Sequence, residues 1–322
     1  NQIHDEVVRK GLIDPKNVIL GNALIDMYTK CDQHVKAAEV LECLPISDVI
    51  SWSTLMAGYA QRGQGHETLN CFEWMLGKGI SPNEVTFICI LKACGSIGAI
   101  DKGKEIHDEI VCRGLLDKDI MLGNVLVDMY AKCGALTKSK QVLELLPIRN
   151  VISWNTLIAG YAQQGQGYEA IKCLVEMQKE GLSPNEVTFL SVLRSCSHSG
   201  LLELSEFLFG IMTRKYDIPP NLEHHTCMVA IFGCAGFFDK AMSVIDVMPS
   251  CDDELAMWLS LLGSCRKWGN LELGRLAFSR AIEVDNGCSA AYILMGNIFV
   301  SFGMQKDAEN VEAMRVKYVT WK

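Results

Sequence analysis

Residues 49–83 read VISWSTLMAGYAQRGQGHETLNCFEWMLGKGISPN, and residues 151–185 read VISWNTLIAGYAQQGQGYEAIKCLVEMQKEGLSPN. The two stretches align without a gap at an offset of 102 residues and are identical at 21 of 35 positions. The same offset carries Asn22-Ala23-Leu24-Ile25-Asp26-Met27-Tyr28 onto Asn124-Val125-Leu126-Val127-Asp128-Met129-Tyr130, and Glu84-Val85-Thr86-Phe87 onto Glu186-Val187-Thr188-Phe189. The repeat is therefore a triplet of smaller units. They start at Val18, Val49 and Glu84, then at Ile120, Val151 and Glu186, with one more from Leu222. Unit lengths of 31, 35 and 36 residues recur in that order, and periods of this size belong to solenoids.

Each unit reads as two helices. In 49–83, Trp52, Leu55, Met56 and Tyr59 recur at three- and four-residue spacing, the apolar face of a first helix. Gly63 and Gly65 interrupt it, because glycine is a poor helix former and a good turn residue. A second amphipathic run passes through Leu69, Phe72 and Met75 and is closed by Gly79 and Pro82. One helical hairpin cannot bury its apolar face alone, so neighbours must stack. The expected fold is all-α, a right-handed superhelical solenoid of helix-turn-helix repeats whose concave face is formed largely by the first helices.

Of the 322 residues, 49% are hydrophobic and 21% charged, which excludes disordered and fibrous classes. A net charge of -8 and a pI near 5.4 weigh against a protein that coats phosphates with a basic face. A nucleic-acid function must then rest on base recognition and local charge. The fourteen cysteines, Cys31, Cys71, Cys133 and Cys173 among them, sit in the helical pattern without any C-x-x-C. They read as buried free thiols in a reducing compartment. Residue 1 is Asn and no signal or transit segment is visible, so the sequence reads as a fragment or processed form. The uncharged stretch 287–305 is broken by Ser289, Gly296, Asn297, Ser301 and Gly303, and reads as a packed helix pair rather than a membrane span.

Several motifs carry a family resemblance. The 31-residue units hold Asp26-Met27-Tyr28 with Lys30-Cys31, and Asp128-Met129-Tyr130 with Lys132-Cys133-Gly134. The 35-residue units hold Ser51-Trp52 and Ser153-Trp154, then Gly58-Tyr59 and Gly160-Tyr161. The longest units hold Val85-Thr86-Phe87 with Ala93-Cys94, and Val187-Thr188-Phe189 with Ser195-Cys196. Together they resemble the pentatricopeptide-repeat proteins of plant organelles, in the mixed-length PLS subclass. Residues 1–17 resemble the end of an earlier long-type unit, since Gln2-Ile3-His4 matches Glu105-Ile106-His107. Residues 18–253 are then the repeat tract, with 222–253 its terminal short unit. Residues 254–322 resemble the TPR-like E-type extension motifs, through Met257-Trp258-Leu259, Leu262-Gly263-Ser264-Cys265-Arg266 and Ala291-Tyr292-Ile293-Leu294.

The resemblance implies a mitochondrial or chloroplast protein that binds single-stranded RNA, one base per unit, through the fifth and last residues of each unit. Those pairs are Asn22 with Asp48, Ser53 with Asn83, Asn124 with Asn150, Asn155 with Asn185, and Thr226 with Asp253. Their side chains differ in donors and acceptors, and an unpaired base exposes its Watson–Crick edge. The long units offer Ile88 with Asp119 and Leu190 with Asn221, and an aliphatic fifth residue makes them weak or silent. The family's pairing preferences imply the target 5′-U-A-N-Y-Y-N-G-3′, with an edited cytosine four nucleotides after the G if the protein serves editing. The second residues, Ile19, Ile50, Val85, Met121, Ile152 and Val187, are implied to sandwich neighbouring bases, and Glu223 departs from that pattern. Read without the resemblance, the polar residues are helix caps and turns, and the second residues are helix packing.

Catalytic chemistry is not expected. His4-Asp5-Glu6 and His107-Asp108-Glu109 match the first half of a cytidine deaminase signature, but no C-x-x-C follows, so they read as surface repeat residues. No deaminase-like DYW domain is expected in these residues. Gly269 and Gly274-Arg275 lack the Lys and Ser/Thr of a phosphate loop, and His224-His225 read as a satisfied surface pair without metal partners. No cofactor, metal or membrane partner is expected. The function read from the sequence is a specificity factor for organellar C-to-U editing, with 254–322 engaging a deaminase or another editing protein. The alternatives are a splicing or stability factor using the same surface, and a TPR-type protein-interaction scaffold.

Overall fold

The computed structural model describes residues 18–44, 46–117, 119–248 and 254–319, and among these every regular element is an α-helix. The earlier unit expected in 1–17, with its His4-Asp5-Glu6, lies outside the described residues. The helices fall into two compact units, 1–160 and 161–322, with the boundary inside one helix.

The first unit holds the hairpins α1 (Val18–Lys30) with α2 (His34–Cys43), α3 (Val49–Gln61) with α4 (Gly65–Gly77), α5 (Glu84–Ile97) with α6 (Ile100–Cys112), and α7 (Ile120–Lys132) with α8 (Leu136–Leu145). It ends in α9 (Val151–Gln163), the helix that contains the boundary. Within each hairpin the two helices pack together, and each first helix also packs on the next, α1 on α3, α3 on α5, α5 on α7. The expected apolar face is largely core: Trp52, Leu55 and Met56 of α3 are buried and Tyr59 half-buried, and Tyr28 of α1 and Phe87 of α5, the helices α3 packs on, are buried too. Each such side chain contributes about 1.5–3 kcal/mol by leaving water.

Glycine sets the spacing of the first helices. A Cβ on Gly58 would stand 2.7 Å from Thr29 Cγ2, and one on Gly160 would stand 2.6 Å from Ala131 Cβ. The Gly-Tyr motif therefore marks where α3 approaches α1 and α9 approaches α7. Gly63 and Gly79 end α3 and α4 with φ of 70° and 73°, a left-handed conformation that costs other residues about 1 kcal/mol.

The second unit continues the pattern with α10 (Gly167–Lys179), α11 (Glu186–Ser199) with α12 (Leu202–Arg214), α13 (Leu222–Ala235) with α14 (Phe238–Asp246), α15 (Leu255–Trp268) with α16 (Leu271–Val284), and α17 (Ser289–Ser301) with α18 (Gln305–Val319). First helices again pack in series, α11 on α13, α13 on α15, α15 on α17. The uncharged stretch forms α17, which packs on α18, and no helix among the described residues is long and apolar enough to cross a membrane.

Two local expectations need correction. Cys71 and Cys173 are buried thiols as expected, but Cys31, Cys43, Cys112 and Cys234 are exposed and Cys133 and Cys288 half-buried; Cys31 and Cys133 each lie just past the end of a first helix. His224 is not on the surface. It is fully buried, with Nε2 3.0 Å from the Glu186 carbonyl oxygen, and burial holds its pKa below the ordinary value.

Candidate functional site

Among the described residues, six Asp or Asn residues stand directly before a first helix: Asp48, Asn83, Asp119, Asn150, Asn185 and Asn221. The first turn of a helix leaves backbone N–H groups without partners, and a short side-chain oxygen accepts from one of them. Asp48 Oδ1 accepts from Ser51 N at 2.8 Å, and Asn83 Oδ1 from Thr86 N at 2.9 Å. The third residue of the helix answers: Ser51 Oγ accepts from Asp48 N and Thr86 Oγ1 from Asn83 N. Asn150 with Ser153, and Asn185 with Thr188, make the same reciprocal pair. Asn221 makes it with His224. Asp119 caps α7 through Met121 N and Leu122 N, and with Leu122 in third place no reciprocal bond forms. The last residue of each of these units is thus a helix cap, as its chemistry without the resemblance predicts.

The cap also meets the fifth residue of its own unit. Asn22 Nδ2 donates to Asp48 Oδ1 at 3.4 Å, and Ser51 Oγ donates to Asn22 Oδ1 at 2.6 Å. Residues 26 positions apart form one polar cluster with the third residue of the next helix. In the next hairpin the link runs through that third residue: Ser53 Oγ lies 2.9 Å from Thr86 Oγ1, which donates to Asn83 Oδ1 at 2.9 Å. In the hairpin after Asp119, Asn124 is half-buried and its Oδ1 has no partner. Asn155 is buried and Asn185 exposed. Thr226 donates to the Leu222 carbonyl in its own helix at 2.9 Å, and Asp253 lies outside the described residues. The Asp48 carboxyl titrates below its ordinary value. Burial pushes it up, but the Ser51 backbone N–H, the Ser51 hydroxyl, the Asn22 amide and the Ile50 N–H outweigh burial.

The second residues stand out from the helices. Their exposure runs from 49% at Val187 to 82% at Ile19, with Ile50, Val85, Met121 and Ile152 between. Core packing does not account for them. A cavity of about 290 Å³ opens between α1, α3 and the start of α5. Ile50 and Val85 line it together with Ser53 and Asn83, and Asp26, Thr29, Lys30, Thr54, Ala57, Gly58 and Gln61 complete the wall. Its size is near the lower end of small-ligand clefts. The third-position hydroxyls Ser51, Thr86, Ser153 and Thr188 were not among the expected site residues. Their signal in the sequence is the recurrence of Ser-Trp or Thr-Phe directly after each of the exposed aliphatics Ile50, Val85, Ile152 and Val187. His107, of the deaminase-like triplet, holds Tyr130 OH at 3.0 Å from Nδ1, and burial depresses its pKa.

A PPR repeat family model matches residues 47–96 and 149–198, a PPR repeat model matches 22–48, 85–115, 187–216 and 223–252, and an E motif model matches 268–318. A chloroplast pentatricopeptide repeat-containing protein of Arabidopsis thaliana is 38% identical over 300 residues, 92% of this chain and 40% of its own length. A mitochondrial one from the same plant is 32% identical over 314 residues, 98% of this chain and 49% of its own. The chain thus spans about half the length of such relatives or less. Its fold is similar to that of PPR10 in a crystal structure with an 18-nt psaJ RNA element, with a TM-score of 0.78 at 16% identity, over 99% of this chain and 47% of that one. Repeat matches, extension motif and relatives agree, and the chain belongs to the pentatricopeptide-repeat family, with an E motif following its repeats.

Proposed function

We propose that the exposed face of the first helices binds single-stranded RNA, each polar fifth-and-last pair reading one unpaired base. The observation that carries this reading is the cavity at α3. Two exposed aliphatic residues, Ile50 and Val85, flank it, and the Ser53 and Asn83 side chains lie within it. A planar, unstacked base needs such a site, with apolar contacts on its faces and fixed donors and acceptors at its edge. PPR10, which shares the fold, holds an RNA in its crystal structure.

The units we assign start at residues 18, 49, 84, 120, 151, 186 and 222, and the target is 5′-U-A-N-Y-Y-N-G-3′. Asn22 with Asp48 takes the uracil and Ser53 with Asn83 the adenine. Asn124 with Asn150 and Asn155 with Asn185 take pyrimidines, and Thr226 with Asp253 takes the guanine. The protein then acts in a chloroplast or mitochondrion as a specificity factor for C-to-U editing, and 254–322 engages the deaminase or an editing-complex protein. A TPR-type protein scaffold is the second reading, favoured by the net charge of -8. A gel shift with 5′-UAACUAG-3′ tests the choice. We expect retardation that a scrambled RNA of the same composition does not compete; equal affinity for the two would end the base-by-base reading.

A further inference from the structure

The first helices differ in the charge they carry two turns beyond the exposed aliphatic residue. On α1 and α7 that place holds an acid whose charge is met four residues on: Lys30 donates to Asp26 at 2.7 Å, and Lys132 to Asp128 at 2.7 Å. Asp26 and Lys30 both line the cavity at α3, so this stretch of the face is the one that borders the proposed base site. On α3 and α9 the same place holds Ala57 and Ala159. On the long-type helices it holds a base, Lys92 on α5 and Arg194 on α11.

The pattern on α5 fixes where Lys92 points. Val85 is exposed, Ile88 half-exposed, Lys92 and Ser96 exposed, while Phe87, Ile90, Leu91 and Cys94 are buried. Spacings of three, four and four residues put the exposed set on one stripe of a helix. Lys92 therefore shares its face with Val85, which lines the cavity. Among the described residues no carboxylate stands within ion-pair distance of it, although the chain has 38 acidic residues. On α11 the stripe repeats as Val187, Leu190, Arg194 and His198. Arg194 meets Glu223 at 3.6 Å, a long contact between two half-exposed side chains.

We propose that the long-type hairpins, whose aliphatic fifth residues Ile88 and Leu190 cannot read a base edge, hold the RNA backbone instead, with Lys92 as the contact to a phosphodiester. This deepens the RNA reading and rests on it. It gives an acidic chain a way to hold a polyanion: among the described residues, Lys30 and Lys132 on the first helices of the short hairpins are paired with their own aspartates, whereas Lys92, on the first helix between two base-reading hairpins, meets no carboxylate. A phosphate contact is blind to sequence and releases a counterion, so it shows in the salt dependence of binding and not in base preference.

The test is the affinity of the full chain for 5′-UAACUAG-3′ and for its scrambled counterpart, measured from about 50 to about 200 mM KCl. We expect Lys92→Gln to weaken both RNAs by the same factor, about two- to fivefold at the low-salt end, as an exposed ion pair is worth. The slope of log affinity against log salt should fall by about 0.7, the single-strand value for one phosphate. Lys92→Arg should keep the wild-type slope, and Lys104→Gln, which removes a charge on α6 already paired with Asp101, should leave it unchanged. An unchanged slope in Lys92→Gln, equal slope losses in Lys92→Gln and Lys104→Gln, or a loss confined to the matched RNA would each overturn the proposal while leaving RNA binding intact. A wild-type chain that binds neither RNA removes the RNA reading, and this inference falls with it.

Discussion

The hairpins Val18–Asp48 and Ile120–Asn150 are the same element written twice in one sequence, and they satisfy the same polar junction differently. In the earlier hairpin Asp48 accepts from the Ser51 backbone and from Asn22, and the Ser51 hydroxyl is close enough to donate to Asn22. The contacts of the Asp48 carboxylate with Ser51 and Asn22 all run to Oδ1, and in the later hairpin Asn150 likewise works through one oxygen. It accepts from the Ser153 backbone at 3.0 Å and from the Ser153 hydroxyl at 3.1 Å, and Asn124 Oδ1 is left buried without a partner. A hydroxyl has one hydrogen to give. The fifth residue is thus engaged in the hairpin that ends in an acid and has an open acceptor in the one that ends in an amide. The two differ again at the inter-helix turn, where Asp32 takes φ 61° and Gly134 takes φ 77°, and at the start of the second helix, where His34 stands in the place of Leu136.

The largest effects lie where the pair agrees. Gly58 touches Thr29 and His34, and Gly160 touches the equivalent Ala131 and Leu136. Valine at either position puts carbon inside 3 Å of a neighbouring side chain, and overpacking of this kind costs about 1–3 kcal/mol. Gly58→Val and Gly160→Val should both lower the urea midpoint, and Gly58→Val should also abolish binding at the cavity it lines. If Gly58→Val kept wild-type stability, the close approach of first helices would not be what sets their spacing.

His34 sharpens the comparison. It is 93% buried by side-chain packing against Tyr59, ring centroids 5.3 Å apart, and neither ring nitrogen has a hydrogen-bond partner. A buried polar group left unpaired costs about 1–3 kcal/mol. His34→Leu, which copies Leu136, should raise the urea midpoint by about 1–2 kcal/mol equivalent, and Leu136→His should lower it. Loss of stability in His34→Leu would mean the imidazole has a partner in solution.

Asp32 offers a smaller version of the same exchange. Left-handed backbone costs a non-glycine residue about 1 kcal/mol, and Asp32 offsets part of that by pairing with Arg62, both being more than two-fifths exposed. Exposed pairs contribute about 0–1 kcal/mol. Asp32→Gly should therefore stabilise the hairpin by well under ~1 kcal/mol, and in about 1 M salt, where the pair is screened, the gain should grow. A gain that shrinks with salt would contradict the assignment of Arg62 as the compensating group.

The hairpin periodicity, the glycine turns and the caps were all legible, because each is a local rule: an apolar residue every third or fourth place, Gly where φ is positive, Asp or Asn before a helix. The fifth and last residues were legible as positions but not as partners. Their contact crosses 26 residues and depends on a hydroxyl at the third place of the next helix. The burial of His224 and the isolation of His34 were not legible at all. Each is decided by which neighbours surround one ring, and two histidines of the same composition end in opposite states, one bonded at Nε2 to Glu186 and one bonded to nothing. Exposure of Cys31 was misread for a simpler reason: it continues the repeat pattern but sits one residue past the last turn of α1.

The smallest structural change makes the most specific prediction. Asp48→Asn turns the earlier junction into a copy of the later one. Asparagine caps helices about as well as aspartate, so the cost in stability should be a few tenths of a kcal/mol, about 0.5 at most. The pH dependence should change in a defined window. Asp48 has a folded pKa below its ordinary value of 3.8, so its contribution is complete above that value and is lost as pH falls through the lower, folded one. Wild type and Asp48→Asn should then have parallel stability profiles at neutral pH and diverge only below about pH 4, where the wild type alone gives up a titrating cap. In RNA binding, Asn22 should lose its carboxylate partner and behave as Asn124 does, relaxing the first position of 5′-UAACUAG-3′ from uracil to either pyrimidine while the other positions hold. If uracil preference survives in Asp48→Asn, the carboxylate takes no part in reading that base, and Asp48 is a helix cap and nothing more.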